Sequence, residues 1–188
     1  MCPIARTMER EIKLRFDNPV AARAAVVATG ATLLRPRRLQ HDCLLDTASG
    51  QLRESRSILR VRREPDVCFL TFKGPVQPST MKLREEIETM VGDAAGIMAI
   101  LHALGFHVWF RYEKMREEFR YGEAVIAVDE TPVGTFVEIE GSEDSVVRAT
   151  AALGRGPSDY VLLSYRTLYI EHQTDAGLPV SDMLFAHG

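Results

Sequence analysis

Charged side chains recur at every second position in six short segments of this 188-residue chain. Glu9, Glu11, Lys13 and Arg15 do so in EREIKLRF, and Arg60 and Arg62 in SILRVRR. Lys73 closes VCFLTFK; Arg84, Glu86 and Glu88 align in KLREEIET; Lys114, Arg116 and Glu118 in RYEKMREEF; Glu138 and Glu140 in TFVEIE. Glu9, Glu11, Glu138 and Glu140 offer hard oxygen donors of the kind Mg²⁺ and Mn²⁺ prefer. Lys13, Arg60, Arg62, Lys73, Arg84, Lys114 and Arg116 form a surplus of cations, and arginine's planar fork matches phosphate oxygens. Both sets in one place would suit a polyphosphate bridged to a divalent metal. The chain has no GxxxxGK[ST] loop, so side chains would do the work that backbone amides do in a P-loop.

The elements that must position these residues follow from the alternation. Side chains along a β-strand point to opposite faces in turn, so each segment puts its charges on one face and residues such as Ile12, Leu14, Leu59, Val61, Met115, Val137 and Ile139 on the other. A solvated outer face would look the same for any single strand. Its recurrence in most of the strands points instead to a sheet closed into a barrel, with apolar faces packed outward against helices and charges inward. Unpaired buried charges are too costly to survive, so such an interior must be wet, mutually paired or filled by a charged ligand.

Further strands are expected over HDCLLD (41–46) and EAVIAVD (123–129). Helices are expected after Asn18-Pro19 up to Gly30, over DAAGIMAILHALG, from an N-cap at Ser142 to Leu153, and around 162–172. Met98, Ile100, Leu101 and Leu104 read as the core face of the second helix. Arg35, Arg37 and Arg38 beside Pro36 read as a solvated loop. Tight turns between strands imply mostly antiparallel pairing. The expectation is one α+β domain over 1–188 with its core at about 8–172: an eight-stranded, mostly antiparallel closed β-barrel with helices outside.

Composition narrows the function. A net charge of −3 gives no global attraction to nucleic acid or an anionic membrane. No apolar run has membrane-spanning length, and MCPIARTMER lacks a signal-peptide core. Cys2, Cys43 and Cys68 are odd in number and widely spaced, which favours neither a zinc site nor a disulfide framework and fits a reducing cytoplasm. Cys68 reads as a small strand residue. The five histidines, His187 among them, are scattered without metal-ligand spacing. Basic residues interleaved with acids and a single tryptophan, Trp109, argue against nucleic-acid binding.

EREIK resembles the ExExK signature of the CYTH superfamily, the triphosphate tunnel metalloenzymes. LLDT, LRVRRE, LTFKGP, REEIE, YEKMRE, VDE and VEIEG follow in that family's order, and the resemblance extends to SYRTLY at 164–169. It implies an eight-stranded antiparallel tunnel that binds triphosphate and Mg²⁺ or Mn²⁺. Glu9, Glu11, Glu138 and Glu140 would hold metal, with Asp129 helping or positioning a reacting group. The seven cations named above would grip the phosphates, with Lys13, Arg116 and Asp129 closest to the reaction. Glu86 and Glu88 match a strand where the family uses an acid. Tyr165 and Arg166 lie in a segment placed to cap the tunnel, where Arg166 reads equally as a phosphate contact or a surface ion pair. Family activities include hydrolysis of inorganic, thiamine or nucleoside triphosphates and class IV adenylyl cyclisation. The DT…LRVR style favours a triphosphatase. HDCLLD is similar to the cyclase branch but puts Leu44 and Leu45 where that branch has aromatics. The expectation is therefore a triphosphatase acting on a small-molecule triphosphate, with neither nucleic acid nor membrane as partner and homodimer formation left open. A class IV adenylyl cyclase making cyclic AMP and pyrophosphate is the alternative, and a non-catalytic polyphosphate- or nucleotide-binding module the third reading.

Overall fold

The structure is a computed structural model that describes residues 7–186; Cys2 and His187 lie outside the described residues. Eight strands form one closed barrel: β1 (Thr7–Phe16), β2 (Thr32–Thr47), β3 (Ile58–Arg63), β4 (Cys68–Lys73), β5 (Lys82–Val91), β6 (Phe106–Tyr121), β7 (Ala124–Thr131) and β8 (Gly134–Glu140). Around the barrel the order is β1-β5-β4-β3-β2-β6-β7-β8, and every pair is antiparallel. Among the described residues there are also five α-helices, α1 (Pro19–Ala28), α2 (Gln51–Glu54), α3 (Ala94–Ala103), α4 (Glu143–Ala152) and α5 (Tyr165–Asp175), and a short 3-10 helix at Pro157–Asp159. Asn18 caps α1 through Ala21 N at 2.9 Å, and Pro19 occupies the first turn, where its missing N–H costs nothing. Asp93, Ser142 and Ser164 cap α3, α4 and α5 in the same way.

The apolar strand faces point outward and are covered. Ile12, Leu14, Ile126, Val137 and Ile139 pack against Ala22 and Val26 of α1 and Val146 and Ala149 of α4. Leu45, Val61 and Cys68 pack under Leu101 of α3. A third cluster lies instead on the inner face at the α5 end of the barrel, joining Leu44, Phe110 and Phe136 to Tyr165, Leu168 and Tyr169 of α5 and to Met183. The chain beyond 172 is thus built into the core, with Arg111 N donating to Asp182 at 2.7 Å and Glu113 N to the Met183 carbonyl at 2.9 Å.

Two local expectations are corrected. The Arg35–Arg38 stretch is strand, not loop: β2 begins at Thr32, and bulges between Leu33 and Arg35 and between Arg35 and Arg38 take Pro36 into an irregular part of the ladder. Arg38 is half-buried there, its Nε 2.7 Å from Glu64 and Nη2 2.6 Å from Glu118, while Arg37 is exposed and pairs with Glu130 at 2.7 Å. On α3, Leu101 is buried and Met98 packs beside it, but Ile100 and Leu104 are 57% and 67% exposed. A single helix laid on a barrel buries a narrower stripe than its sequence advertises. Among the described residues no helix is long and apolar enough to cross a membrane.

Ile139 is fully buried between strand and helices. Ile139→Ala should lower stability by about 2–5 kcal/mol, because the rigid barrel cannot collapse onto the cavity. Urea denaturation checks this; a loss below about 1 kcal/mol would contradict the packing described.

Candidate active site

Strand register sets the inner wall. Glu11 lies opposite Glu140 and Lys13 opposite Glu138 on β8, while Glu9 faces Arg84 and Glu11 faces Lys82 on β5. Lys73 is level with Glu86, Thr71 with Glu88, Asp42 with Arg62, and Arg116 with Asp129. All of these but Asp42, Thr71 and Asp129 line one cavity of about 790 Å³. Because β1 and β8 are antiparallel, Thr7 and Glu140 sit at one mouth, together with Glu86 and Glu88. Leu44, Ile58, Trp109 and the start of α5 sit at the other.

All the expected glutamates and cations line this cavity: Glu9, Glu11, Glu86, Glu88, Glu138 and Glu140, with Lys13, Arg60, Arg62, Lys73, Arg84, Lys114 and Arg116. They are held in an ion-pair lattice. Lys13, 2% exposed, places Nζ 3.2 Å from both Glu11 and Glu138. Lys73 reaches Glu9 at 2.5 Å and Glu86 at 3.2 Å, and Lys82 binds Glu11. Arg62 holds Asp42 through Nε at 2.9 Å, and Arg60 is 3.4 Å from the same carboxylate and from Glu88. Arg116 clamps Asp129 with two nitrogens and also binds Glu138. Arg84 forms no ion pair among the described residues, and its buried Nε has no hydrogen-bond partner.

Asp129 is the exception among the expected residues. It does not line the cavity, is fully buried, and accepts from Lys114 at 2.9 Å, Arg116 at 2.6 Å and the Tyr165 hydroxyl at 2.7 Å. With its oxygens committed, Asp129 orients two lumen cations from behind and does not face the cavity as a ligand. Arg15, in phase with Glu9–Lys13, lies beyond the lumen, exposed with its guanidinium 4.9 Å from the Phe136 ring centroid.

Several wall residues escaped the sequence reading. Lys82 is in phase with Arg84 and Glu86, and Asp42 is in phase with Leu44, so alternation alone could have found both. Leu45 faces outward, but Phe69, Trp109, Tyr112 and Tyr165 line the cavity, so aromatic surface is present where HDCLLD suggested none. Trp109 could not have been placed by alternation. The register between β2 and β6 shifts between Leu44 and Leu45, where Leu44 faces Phe110 and Leu45 faces Val108, so Trp109 is the extra residue of a bulge.

The electrostatics divide the four metal-candidate carboxylates. Burial raises the pKa of Glu11 and Glu138, but Lys13 and Lys82, and Lys114, Arg116 and Lys13, outweigh it and hold both well below the usual range. Glu9 is raised by burial and then by Glu11. Glu140 is pushed up to about 7 by its enclosure and then by Glu9, Glu86 and Glu11. Glu140 lies at the exposed mouth, where the carboxylates of Glu9, Glu86 and Glu11 repel its charge. Burial and then Arg116 bring Lys114 down to about 8. Among the described residues no three His, Cys, Asp or Glu side chains converge closely enough to hold a metal. The chemistry of the donors nevertheless fits a divalent cation: among the described residues, Glu9 Oε2 is buried without a hydrogen-bond partner and Glu140 forms no ion pair.

The sequence profile of the CYTH domain matches residues 7–152. The chain belongs to the CYTH domain family. The CYTH chain is 29% identical over 136 residues to a candidate adenylate cyclase of Methanocaldococcus jannaschii, covering 72% of this chain and 77% of that protein. A Pyrococcus horikoshii structure, 25% identical, superposes with a TM-score of 0.71, covering 87% of this chain and 99% of the other. A Hippeastrum protein described as a candidate adenylyl cyclase with a dominant triphosphatase activity shares the fold at 21% identity, with a TM-score of 0.62 and coverage of 92% and 97%.

Glu140 predicts a pH signature of the CYTH barrel without metal. A folded pKa above the unfolded one stabilises the fold at low pH, and that contribution is lost as pH rises from about 4.5 toward 7. Glu140→Gln should raise the melting temperature at pH 8 in EDTA and change it little at pH 4.5. A lower melting temperature at pH 8 would contradict the repulsion assigned to this site.

Proposed function

We propose that this CYTH domain is a divalent-metal-dependent triphosphatase whose lumen binds a linear triphosphate. The observation that carries the reading is the cation wall of the central lumen: Lys13, Arg60, Arg62, Lys73, Lys82, Arg84, Lys114 and Arg116 all line the cavity. A polyanion would satisfy that wall, and Arg84, without an ion pair among the described residues, is available to it at once. For the rest, binding is an exchange of partners. Phosphate oxygens take over Lys13, Lys73, Arg60, Arg62, Lys114 and Arg116, and the carboxylates so released become free for Mg²⁺ or Mn²⁺. Glu9, Glu11, Glu138 and Glu140 would hold the ion, which would supply Lewis-acid polarisation of phosphoryl oxygens.

In hydrolysis a water oxygen bonds to phosphorus, the bridging P–O bond breaks, and negative charge grows on the departing phosphate. Arg116 and Lys13 stand ready to stabilise that charge, and Asp129 with Tyr165 fixes the direction of Arg116 and Lys114. Lys114, with its pKa near 8, is suited to deliver a proton to the leaving oxygen near neutral pH. A cyclase reading is favoured by one observation, the cyclase name of the Methanocaldococcus relative. The Hippeastrum protein, named as a cyclase yet described with dominant triphosphatase activity, shows that such a name does not separate the two.

The deciding experiment is a panel of inorganic triphosphate, thiamine triphosphate and ATP with Mg²⁺ or Mn²⁺, reading phosphate release and cyclic AMP together. Phosphate release abolished by EDTA is expected. Cyclic AMP as main product would replace the hydrolase by the cyclase, and binding without turnover would leave a binding module. Glu138→Gln or Glu9→Gln should reduce turnover at least about tenfold.

Arg62→Ala should weaken triphosphate binding about tenfold or more, as expected for a lost charge-assisted contact. The fold should survive, because Arg60 still faces Asp42 at 3.4 Å. Unchanged affinity by titration calorimetry would remove Arg62 from the site.

A further inference from the structure

The two mouths of the cavity differ in sign. Glu64, Glu86, Glu88, Glu118 and Glu140 lie toward the Thr7 mouth. The α5 mouth is framed by Arg53, Arg56 and Arg166, all lining the cavity. Arg53 and Arg166 both stack on the bulged Trp109, their guanidinium carbons 4.9 and 4.7 Å from the ring centroid. Among the described residues Asp46 is the one carboxylate in ion-pair contact with this set. It is buried and committed to α2, accepting from the amides of Thr47, Leu52 and Arg53 and from Arg53 Nε at 3.0 Å. Among the described residues neither Arg56 nor Arg166 forms an ion pair, and the buried Arg166 Nε has no hydrogen-bond partner. Arg56 is also the one non-glycine residue among the described residues in the left-handed region, at φ +56. Arg166 sits in the first turn of α5, whose free amides add positive potential at the same place.

We propose that this mouth is an additional phosphate subsite, so that the protein takes linear inorganic phosphate chains of four or more units in preference to triphosphate. The inference rests on the triphosphate reading of the central lumen. Level with Arg60 across the sheet are Leu44 and Phe110, and Trp109 is the next residue toward the α5 mouth. One strand residue is about 3.3 Å, roughly the reach of one further phosphoryl group. A cation-only mouth favours another phosphate over a cationic or neutral organic substituent. The tryptophan face that would stack such a substituent is already occupied by guanidinium groups. A chain would therefore lie with its free anionic end toward α5, and any organic group would be left at the acidic mouth.

The test is titration calorimetry of linear triphosphate and linear tetraphosphate, in EDTA, against the parent protein, Arg166→Ala and Arg56→Gly. Glycine relieves the left-handed backbone at 56, so that variant removes the guanidinium without threatening the fold. The parent is expected to bind tetraphosphate about tenfold more tightly than triphosphate. Either variant should lose about tenfold on tetraphosphate and leave triphosphate affinity unchanged. Triphosphate binding with no gain for tetraphosphate, or equal losses on both chains, overturns the subsite and leaves the triphosphatase reading standing. Failure of the parent to bind either chain overturns the subsite, and the triphosphatase reading is then decided by the substrate panel with Mg²⁺ or Mn²⁺.

Discussion

The structure depends on one constraint: charge removed from bulk water must be answered by opposite charge close by. The barrel encloses a wall of lysine, arginine and glutamate that no apolar packing could replace without erasing the cavity. Closing the sheet puts every inward residue opposite another, and the register pairs unlike charges at Lys13 and Glu138, Asp42 and Arg62, Lys73 and Glu86, and Arg116 and Asp129. The same closure turns Ile12, Val61, Val137 and Ile139 outward, where helices cover them. Lumen chemistry and outer core are two faces of the same alternation.

That lattice is only partly balanced, and the imbalance has direction. Where lysines converge, Glu11 and Glu138 are held ionised; where carboxylates outnumber them, Glu9 and Glu140 are pushed toward protonation. Cations exceed acids at the opposite mouth. An interior that pairs most of its charges internally, yet offers unmet negative charge at one place and unmet positive charge at another, is suited to exchange those pairs for an anion and a cation arriving together.

Much of this was legible in the sequence, because a period of two fixes which residues share a face whatever their neighbours. Alternation correctly grouped Glu9 with Lys13, Arg60 with Arg62 and Glu138 with Glu140, and predicted the outward core. It failed where the period is broken or where depth matters. Bulges hid the first half of β2 around Pro36 and re-aimed Trp109 into the α5 mouth. Asp129 has the right phase but lies behind Lys114, Arg116 and Tyr165, and its partner on α5 is 36 residues away in sequence. Arg15 has the right phase too, but the lumen ends before it. Pairing order around the barrel, which decides that Lys82 meets Glu11, is likewise a tertiary fact.

The central claim is that substrate and metal replace the internal ion pairs of the lumen. The most direct measurement is a crystal structure with triphosphate and Mn²⁺, the metal located by anomalous scattering. The account predicts phosphate oxygens on Lys13, Arg60 and Arg116 and a manganese peak against glutamates of β1 and β8, with the Lys13–Glu11 and Arg116–Glu138 contacts opened. Triphosphate bound on the outer surface, with those pairs intact and no metal in the lumen, would contradict it.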